Sequence, residues 1–317
     1  MSETAPRVAV VGLGAMGLPM AMHLATAFEI TASDVSESRR MEADAGGICA
    51  FAGPAQAAAN ADVALLAVRD EPQAREALFG PDGVVRSLRA GGIVILTSTI
   101  GPAAARSINV ELAAHSLHLV DAPISGGPAR AGEGDLLIMV GAAPQPFERC
   151  RPVLDHLATT LTVVGGRAGD GQAAKAINQL LAGVHIAAAA EAIALARGLG
   201  LDTRMLLETL STGAAGSFMF SDRGPRMLQA YAEGAEVRSR LDIMVKDMGI
   251  VTGIGRETHV PLPLAAAAEQ LYLLGEAQGL GTQDDSSVVT VLSPTTFRLG
   301  PETPGGAKPS NRITPAG

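Results

Sequence analysis

Apolar residues recur along the first half of the chain in short, compact blocks, each released into glycine, proline or polar residues. Val8 to Val11 runs straight into glycines and is followed by helix formers from Ala15 to Ala27, the pattern of strand, tight turn and helix. Glu29 to Ser33 returns as a second strand, ending at Asp34. Val63 to Val68 and Ile93 to Leu96 repeat the apolar block, with helical periodicity at Gln73 to Leu78 and Ala103 to Ala114. Leu119 to Val120, Leu136 to Val140 and Leu161 to Val164 complete the strand-like segments. Strands that alternate with helices predict a doubly wound parallel sheet.

Past Gly169 the strand pattern all but vanishes. Gln172 to Arg197 is a single helix-period segment of 26 residues, longer than an average globular helix and suited to bridging domains. Further helical stretches lie at Thr203 to Leu210, Asp242 to Arg256 and Leu262 to Gln278. The expected fold is α/β: a doubly wound sheet domain over residues 1–168, then an all-α domain over residues 169–298. Four prolines and four glycines fall between Gly300 and Gly317, too little apolar surface to order a packed segment, so residues 299–317 are expected to form a disordered tail.

A length of 317 residues agrees with two domains, because single cores rarely grow that large. With 47% apolar and 18% charged residues there is ample material for buried cores. The net charge of −8 is spread out, with no run of Lys or Arg and few aromatics, which argues against a nucleic-acid surface. Met1 to Arg7 has no apolar core of signal-peptide length, since Val8 to Val11 already reads as a strand, and a cytoplasmic location is expected. The alanine-rich run Ala182 to Ala196 is interrupted by His185 and Glu191, falls short of a continuous span of ~20 residues, and reads as a buried helix rather than a membrane segment. Cys49 and Cys150 lie outside any metal-ligand spacing and are expected to be small buried hydrophobes. His115 and His118 lack a third ligand in range, so no metal site is expected, and His185 reads as a core histidine.

The chemistry begins at Gly12-Leu13-Gly14-Ala15-Met16-Gly17. The first glycine permits a tight turn, the second lets backbone approach a pyrophosphate, and the third lets helix pack close to strand. A helix N-terminus then faces the negative charge with unsatisfied N–H groups, so no lysine is needed. Asp34, at the end of the second strand, is placed to accept hydrogen bonds from the adenosine ribose, or to cap the following helix. A 2′-phosphate would meet repulsion there, so NAD is expected over NADP, although Arg39 and Arg40 can soften that preference. The strand ends Val68-Arg69 and Ser98-Thr99 lie where a doubly wound fold opens its crevice. Ser98 and Thr99 also suit a turn and helix cap ahead of Pro102.

Two later segments suit a substrate. The backbone of Ser125-Gly126-Gly127 and the Ser125 hydroxyl can converge on a carboxylate, although a Ser-Gly-Gly turn alone is also an ordinary flexible connection. Lys175 and Asn178, three apart on the long helix, share an otherwise apolar face. A lysine deprived of water exchanges protons near neutral pH.

In order and spacing, the glycine segment, Asp121-Ala-Pro-Ile-Ser-Gly-Gly127 and Gly171-Gln-Ala-Ala-Lys-Ala-Ile-Asn178 resemble the β-hydroxyacid dehydrogenases, and the likeness runs from about Val8 to about Ser293. It implies a Rossmann-type domain followed by an all-α substrate and dimerisation domain. It also implies Lys175 as general acid/base, Asn178 holding the substrate hydroxyl or a neighbouring group, and Ser125, Gly126 and Gly127 reading its acid group. The nicotinamide side is placed near Thr99, and a homodimer or homotetramer is expected. Lys246-Asp247 is similar to the family's Lys-Asp-Leu, which gives Lys246 a cofactor or substrate contact; as residues alone the two equally suit a surface ion pair. A cation at Lys246 would also depress the pKa of Lys175. NADP-preferring relatives often carry Asn-Arg-Thr where this chain has Asp34-Val35-Ser36.

The strip from Asn178 to Ala187, with Lys246-Asp247 and Asp284-Asp-Ser-Ser-Val, looks most like the L-threonate dehydrogenase branch, which oxidises a sugar acid. That branch tends to carry His where this chain has Asn178, so tartronate semialdehyde reductase and 3-hydroxyisobutyrate dehydrogenase activities stay open. Imine reductases share the architecture but usually replace the lysine. An NAD-binding sensor without turnover would need neither the Ser-Gly-Gly loop nor Lys175.

Overall fold

The computed structural model describes residues 5–232 and 234–293. Nine strands form one sheet: β1 (Val8–Val11), β2 (Ile30–Ser33), β3 (Cys49–Phe51), β4 (Val63–Leu66), β5 (Ile93–Leu96), β6 (His118–Asp121), β7 (Ile124–Ser125), β8 (Leu136–Gly141) and β9 (Ala158–Gly165). Their order is β3-β2-β1-β4-β5-β6-β8-β7, with β9 beside β8. From β3 to β6 all pairings are parallel. The order in which strands are added reverses at β1, and the crevice there opens above the carboxyl ends of β1 and β4.

The strands read as unbroken apolar runs because both faces of the sheet are covered. Val8, Val10, Leu65, Ile93 and Ile95 pack under α1 (Gly17–Leu24) on one side. On the other, the alternate residues Ala9, Val11, Ala64, Leu66 and Val94 face α3 (Pro54–Ala58), packed among residues of later helices such as Ala74, Leu78 and Ile108. The remaining helices of this half are α2 (Glu37–Ala45), α4 (Glu71–Phe79), α5 (Pro102–Ala114), α6 (Gly127–Glu133) and α7 (Pro144–Leu157).

One expectation is amended. The sheet is mixed at its far end, where β8 runs antiparallel to β6 and to β7. β6 and β7 follow one another along the same side of β8 in one continuous register, and the link from β7 back to β8, residues 126–135 with α6 inside it, is shorter than the crossover that a parallel neighbour requires.

The second half is helical throughout: α8 (Asp170–Gly198), α9 (Thr203–Ser211), α10 (Phe218–Ala230), α11 (Leu241–Glu257) and α12 (Pro263–Ala277). Ile186, Ala190 and Ile193 of α8 share a core with Met227, Met244, Met248 and Tyr272. Close approach of α8 and α11 is permitted by Gly183, where a Cβ would stand 2.3 Å from the Met248 sulfur. The Tyr272 hydroxyl donates to the Gly183 carbonyl oxygen at 2.7 Å, so the buried phenol is satisfied.

By length and composition α8 as a whole is apolar enough to cross a membrane, with a mean hydropathy of 1.6 over its best window; half of that window is buried within the protein. The opposite face is exposed, and there Ile177, Leu181, His185, Ala188, Glu191, Leu195 and Leu199 follow one another at helical spacing. His185 is thus a surface residue and not the core histidine expected. Cys150 is buried, but Cys49 is exposed on the edge strand β3, so only one of the two cysteines behaves as a packed hydrophobe. The expected tail, residues 299–317, lies outside the described residues.

Candidate active site

The glycine turn is shaped as its sequence requires. Gly12 has φ +95°, and a Cβ on it would come within 2.5 Å of the Ala67 carbonyl oxygen. A Cβ on Gly17 would fall 1.8 Å from the Gly12 carbonyl oxygen, so only hydrogen fits where α1 meets β1. Gly14 differs, since a Cβ there would meet nothing within 4 Å. That opening is the space a pyrophosphate needs, and a side chain would fill it. Among the described residues, the N–H groups of Gly14, Ala15, Met16 and Gly17 donate to no backbone carbonyl, which leaves them for an anion. The residues present therefore fit a dinucleotide.

Leu13 stands apart, because its N–H is taken by Asp34, whose Oδ2 accepts it at 2.6 Å. The other Asp34 oxygen accepts the Ser36 N–H at 2.7 Å, and Ser36 rather than Asp34 is the N-cap of α2. Asp34 thus braces the turn as well as standing at the end of β2. Arg40 donates to the Asp34 carbonyl oxygen at 2.8 Å and Arg39 pairs with Glu42, so both guanidiniums have partners of their own.

At the end of β4 the Val68 N–H donates to the Ser98 hydroxyl at 2.9 Å, binding neighbouring strand ends together. Ser98 is therefore a brace and not a helix cap, and Gly101 is the N-cap of α5. Arg69 reaches across to α11, where it pairs with Asp242 at 3.0 Å. From one turn further along α11, the Lys246 Nζ donates to the Thr99 carbonyl oxygen at 2.6 Å and pairs with Asp247 at 2.8 Å. The ion pair and the reach toward the sheet, alternatives in sequence, coexist.

Lys175 is 6% exposed, and among the described residues its amine has no hydrogen-bond or ion-pair partner. Burial pushes its pKa down from the usual lysine range to about 8; the Asp247 carboxylate opposes this and the Lys246 cation adds to it. Asn178 is half-buried, and its Nδ2 donates to the Gln179 Oε1 at 2.8 Å. Gln179 in turn donates to the Asp247 Oδ2 at 2.5 Å. A chain of polar contacts thus runs from Asn178 through Gln179, Asp247 and Lys246 to Thr99.

Asp121, Gln172, Gln179, Asp242 and the role of Asp247 were not read from the sequence. Asp121 is fully buried at the end of β6, and its carboxylate accepts the N–H groups of Gly169 at 2.8 Å and Gln172 at 3.0 Å, holding the start of α8. Burial pushes its pKa up to about 6, opposed by those hydrogen bonds. The Gln172 amide donates to Asp121 Oδ1 at 2.9 Å and to the Ser98 carbonyl oxygen at 3.0 Å, and accepts the N–H groups of Ile100 and Gly101. Gly171 makes this approach possible, because a Cβ there would lie 2.6 Å from the Met139 carbonyl oxygen. The helix that carries Lys175 is thereby fixed to the strand ends that carry Thr99. A glutamine beside the Gly-x-x-x-Lys pattern was the available signal.

Ser125 ends β7, paired with Leu137 of β8, and the chain leaves through Gly126 and Gly127, with φ +145° and +80°. Both values favour glycine, so the turn depends on this dipeptide. Asp284 and Asp285 are buried and structural. Asp285 holds Arg223 through two bonds of 2.9 Å, while Asp284 accepts Arg226 and the N–H groups of Arg238 and Ser239.

Comparison with known proteins gives the family of the chain. Residues 7–165 match the family described as the NAD binding domain of 6-phosphogluconate dehydrogenase, and residues 169–292 match that of the NAD-binding region of NADP-dependent 3-hydroxyisobutyrate dehydrogenase. The L-threonate dehydrogenase of Cupriavidus necator is 38% identical over 303 residues, 95% of this chain and 99% of that protein. Its Escherichia coli K12 namesake is 35% identical, covering 90% of this chain and 94% of its own. The crystal structure of a 3-hydroxyisobutyrate dehydrogenase from Salmonella typhimurium superposes with a TM-score of 0.84 at 35% identity, covering 90% of this chain and all of that one. The chain belongs to the β-hydroxyacid dehydrogenase family, NAD(P)-binding oxidoreductases that act on a CH–OH group.

Proposed function

We propose that this protein oxidises the hydroxyl of a small sugar acid of the L-threonate kind to the corresponding oxo acid, using NAD, with Lys175 as the general base. The observation that carries the reading is Lys175 itself: a buried amine without a protein partner, with a pKa near 8, on a helix fixed to the strand ends of a dinucleotide crevice. When bound, the dinucleotide supplies the hydride acceptor. The neutral Lys175 amine takes the hydroxyl proton, and in the reductive direction the ammonium returns it. Asn178, steadied by Gln179, presents its amide to the hydroxyl or a neighbouring oxygen. Ser125, Gly126 and Gly127 hold the carboxylate through N–H groups and the serine hydroxyl.

Asp34 supports NAD over NADP, since a 2′-phosphate beside its carboxylate would be repelled. A smaller acid such as glycerate, with tartronate semialdehyde as product, is favoured by one residue, Asn178, where the threonate branch tends to carry His. The exposed apolar stripe on α8 supports a homodimer formed through the helical half.

The test is an NAD-reduction screen over C3 to C5 sugar acids, glycerate and 3-hydroxyisobutyrate at alkaline pH, with wild type and Lys175→Ala side by side. Turnover of a sugar acid by wild type and its loss by roughly 10²–10⁴-fold in the variant is the expected result. Undiminished turnover in the variant would remove Lys175 from the chemistry. NADH binding without turnover of any acid would favour a sensor.

A further inference from the structure

Arg69 and Arg240 converge on one carboxylate from opposite halves of the molecule. Arg69 NH2 lies 3.0 Å from Asp242 Oδ2, the Arg240 Nε lies 3.1 Å from Asp242 Oδ1, and the Arg240 NH2 shares Oδ2 with Arg69. The Asp242 side chain is 8% exposed, whereas the Arg69 and Arg240 side chains are 41% and 43% exposed. A single arginine would satisfy Asp242 as a link between halves. The second leaves one positive charge uncompensated and several N–H donors unused at the mouth of the crevice, in a chain whose net charge is −8.

The place of this surplus charge matters. Arg69 directly follows Val68, whose Cγ1 is 3.2 Å from where a Cβ on Gly12 would stand, so the end of β4 runs alongside the first glycine of the cradle. The cradle, Gly12 to Gly17, has no cationic side chain. Its N–H groups stabilise the pyrophosphate but leave its two negative charges without a counter-ion.

Arg240 is also firmly based. Leu241 donates its N–H to the Gln283 carbonyl oxygen at 2.9 Å, Asp285 donates to that of Ser239 at 2.7 Å, and Asp284 accepts the Ser239 N–H at 3.2 Å. A guanidinium on so well-held a backbone loses little freedom when it binds.

We propose that Arg240, with Arg69 and the Asp242 carboxylate that joins them, is a clasp on the dinucleotide pyrophosphate, closing the glycine cradle from the helical half. This rests on the dinucleotide reading above. Asp242 keeps two like charges together, and each guanidinium turns its unused donors toward the phosphate oxygens.

Titration with NADH followed by fluorescence, with ADP-ribose and adenosine as displacing ligands, tests the clasp without turnover. Arg240→Ala should weaken ADP-ribose and NADH by roughly five- to twentyfold and leave adenosine, which has no pyrophosphate, unchanged. Arg240→Lys, which keeps the charge, should recover most of the lost affinity and guards against misfolding as the cause. Unchanged ADP-ribose affinity in folded Arg240→Ala overturns the proposal, whether or not KM for the acid rises. Equal weakening of adenosine and ADP-ribose overturns it too, since the effect would not reside at the pyrophosphate. Wild type that binds neither NADH nor ADP-ribose would instead defeat the dinucleotide reading itself.

Discussion

Lys246 donates from α11 to the carbonyl oxygen of Thr99 at 2.6 Å, fastening the helical half to the end of β5. Through its partner Asp247 the same side chain belongs to the electrostatic surroundings of Lys175. The two act on the Lys175 amine with opposite sign.

Oxidation needs the neutral amine, so it should rise with pH through about 8, and reduction, which needs the ammonium, should fall through the same range. Lys246→Ala removes a cation that lowers the Lys175 pKa, so the oxidation profile should move to higher pH. Asp247→Asn removes an anion that raises it, so the profile should move to lower pH. Profiles of kcat/KM from pH 6 to 10 check both; displacement in the same direction would refute the account.

The glycines of the cradle should separate stability from binding. Gly17→Ala places a methyl 1.8 Å from a backbone oxygen and should lower stability by about 1–3 kcal/mol, seen as a lower melting temperature. Gly14→Ala meets no protein atom, so its melting temperature should equal that of wild type while NADH binding weakens at least roughly tenfold.

Asp121→Asn tests the anchor of α8. With the Oδ2 position occupied by two N–H donors, the new amide nitrogen would face the Gln172 Nε2, donor against donor. A loss of about 1–3 kcal/mol follows from that unsatisfied contact. The pH dependence carries a second sign. Because the folded-state pKa of Asp121 is raised to about 6, its contribution to stability is greatest below the ordinary carboxylate range and is lost as pH rises through about 6. Urea unfolding at a series of pH values should show that decline in wild type relative to Asp121→Asn.

Asp34→Ala should loosen the turn as well as the ribose site, because the Leu13 N–H loses its acceptor. NADH should bind more weakly, and the ratio of NADPH to NADH affinity should rise by roughly tenfold as the repulsion disappears. Parallel titrations with both cofactors decide it, and an unchanged ratio would contradict the role given to the carboxylate.

What was legible in the sequence was whatever acts through near neighbours. Strand, glycine turn and helix are contiguous from Val8, and Lys175 and Asn178 lie within one helical turn, so periodicity alone brings them together. The contacts that complete the site are not local. Gln172 meets Ser98, and Gln179 meets Asp247, across about 70 residues of chain, and Lys246 meets Thr99 across 147. No spacing rule reports such pairs. Among the helices left unread, α7 carries Pro152 and α10 carries Pro225 in their interiors, residues that ordinarily signal a break, and α2, α3 and α6 are under ten residues long. His185 was taken as buried from its apolar neighbours and Cys49 from the usual habit of free cysteines, yet helix phase and an edge strand turn them outward.

α8 is rooted at one end in the sheet, through Asp121 and Gly171, and at the other in the core of the helical half. Lys175 lies between the two anchorages, so a movement of one half against the other would bend the helix near the turn that bears it. Any widening of the crevice and any displacement of the Lys175 amine are therefore one and the same motion.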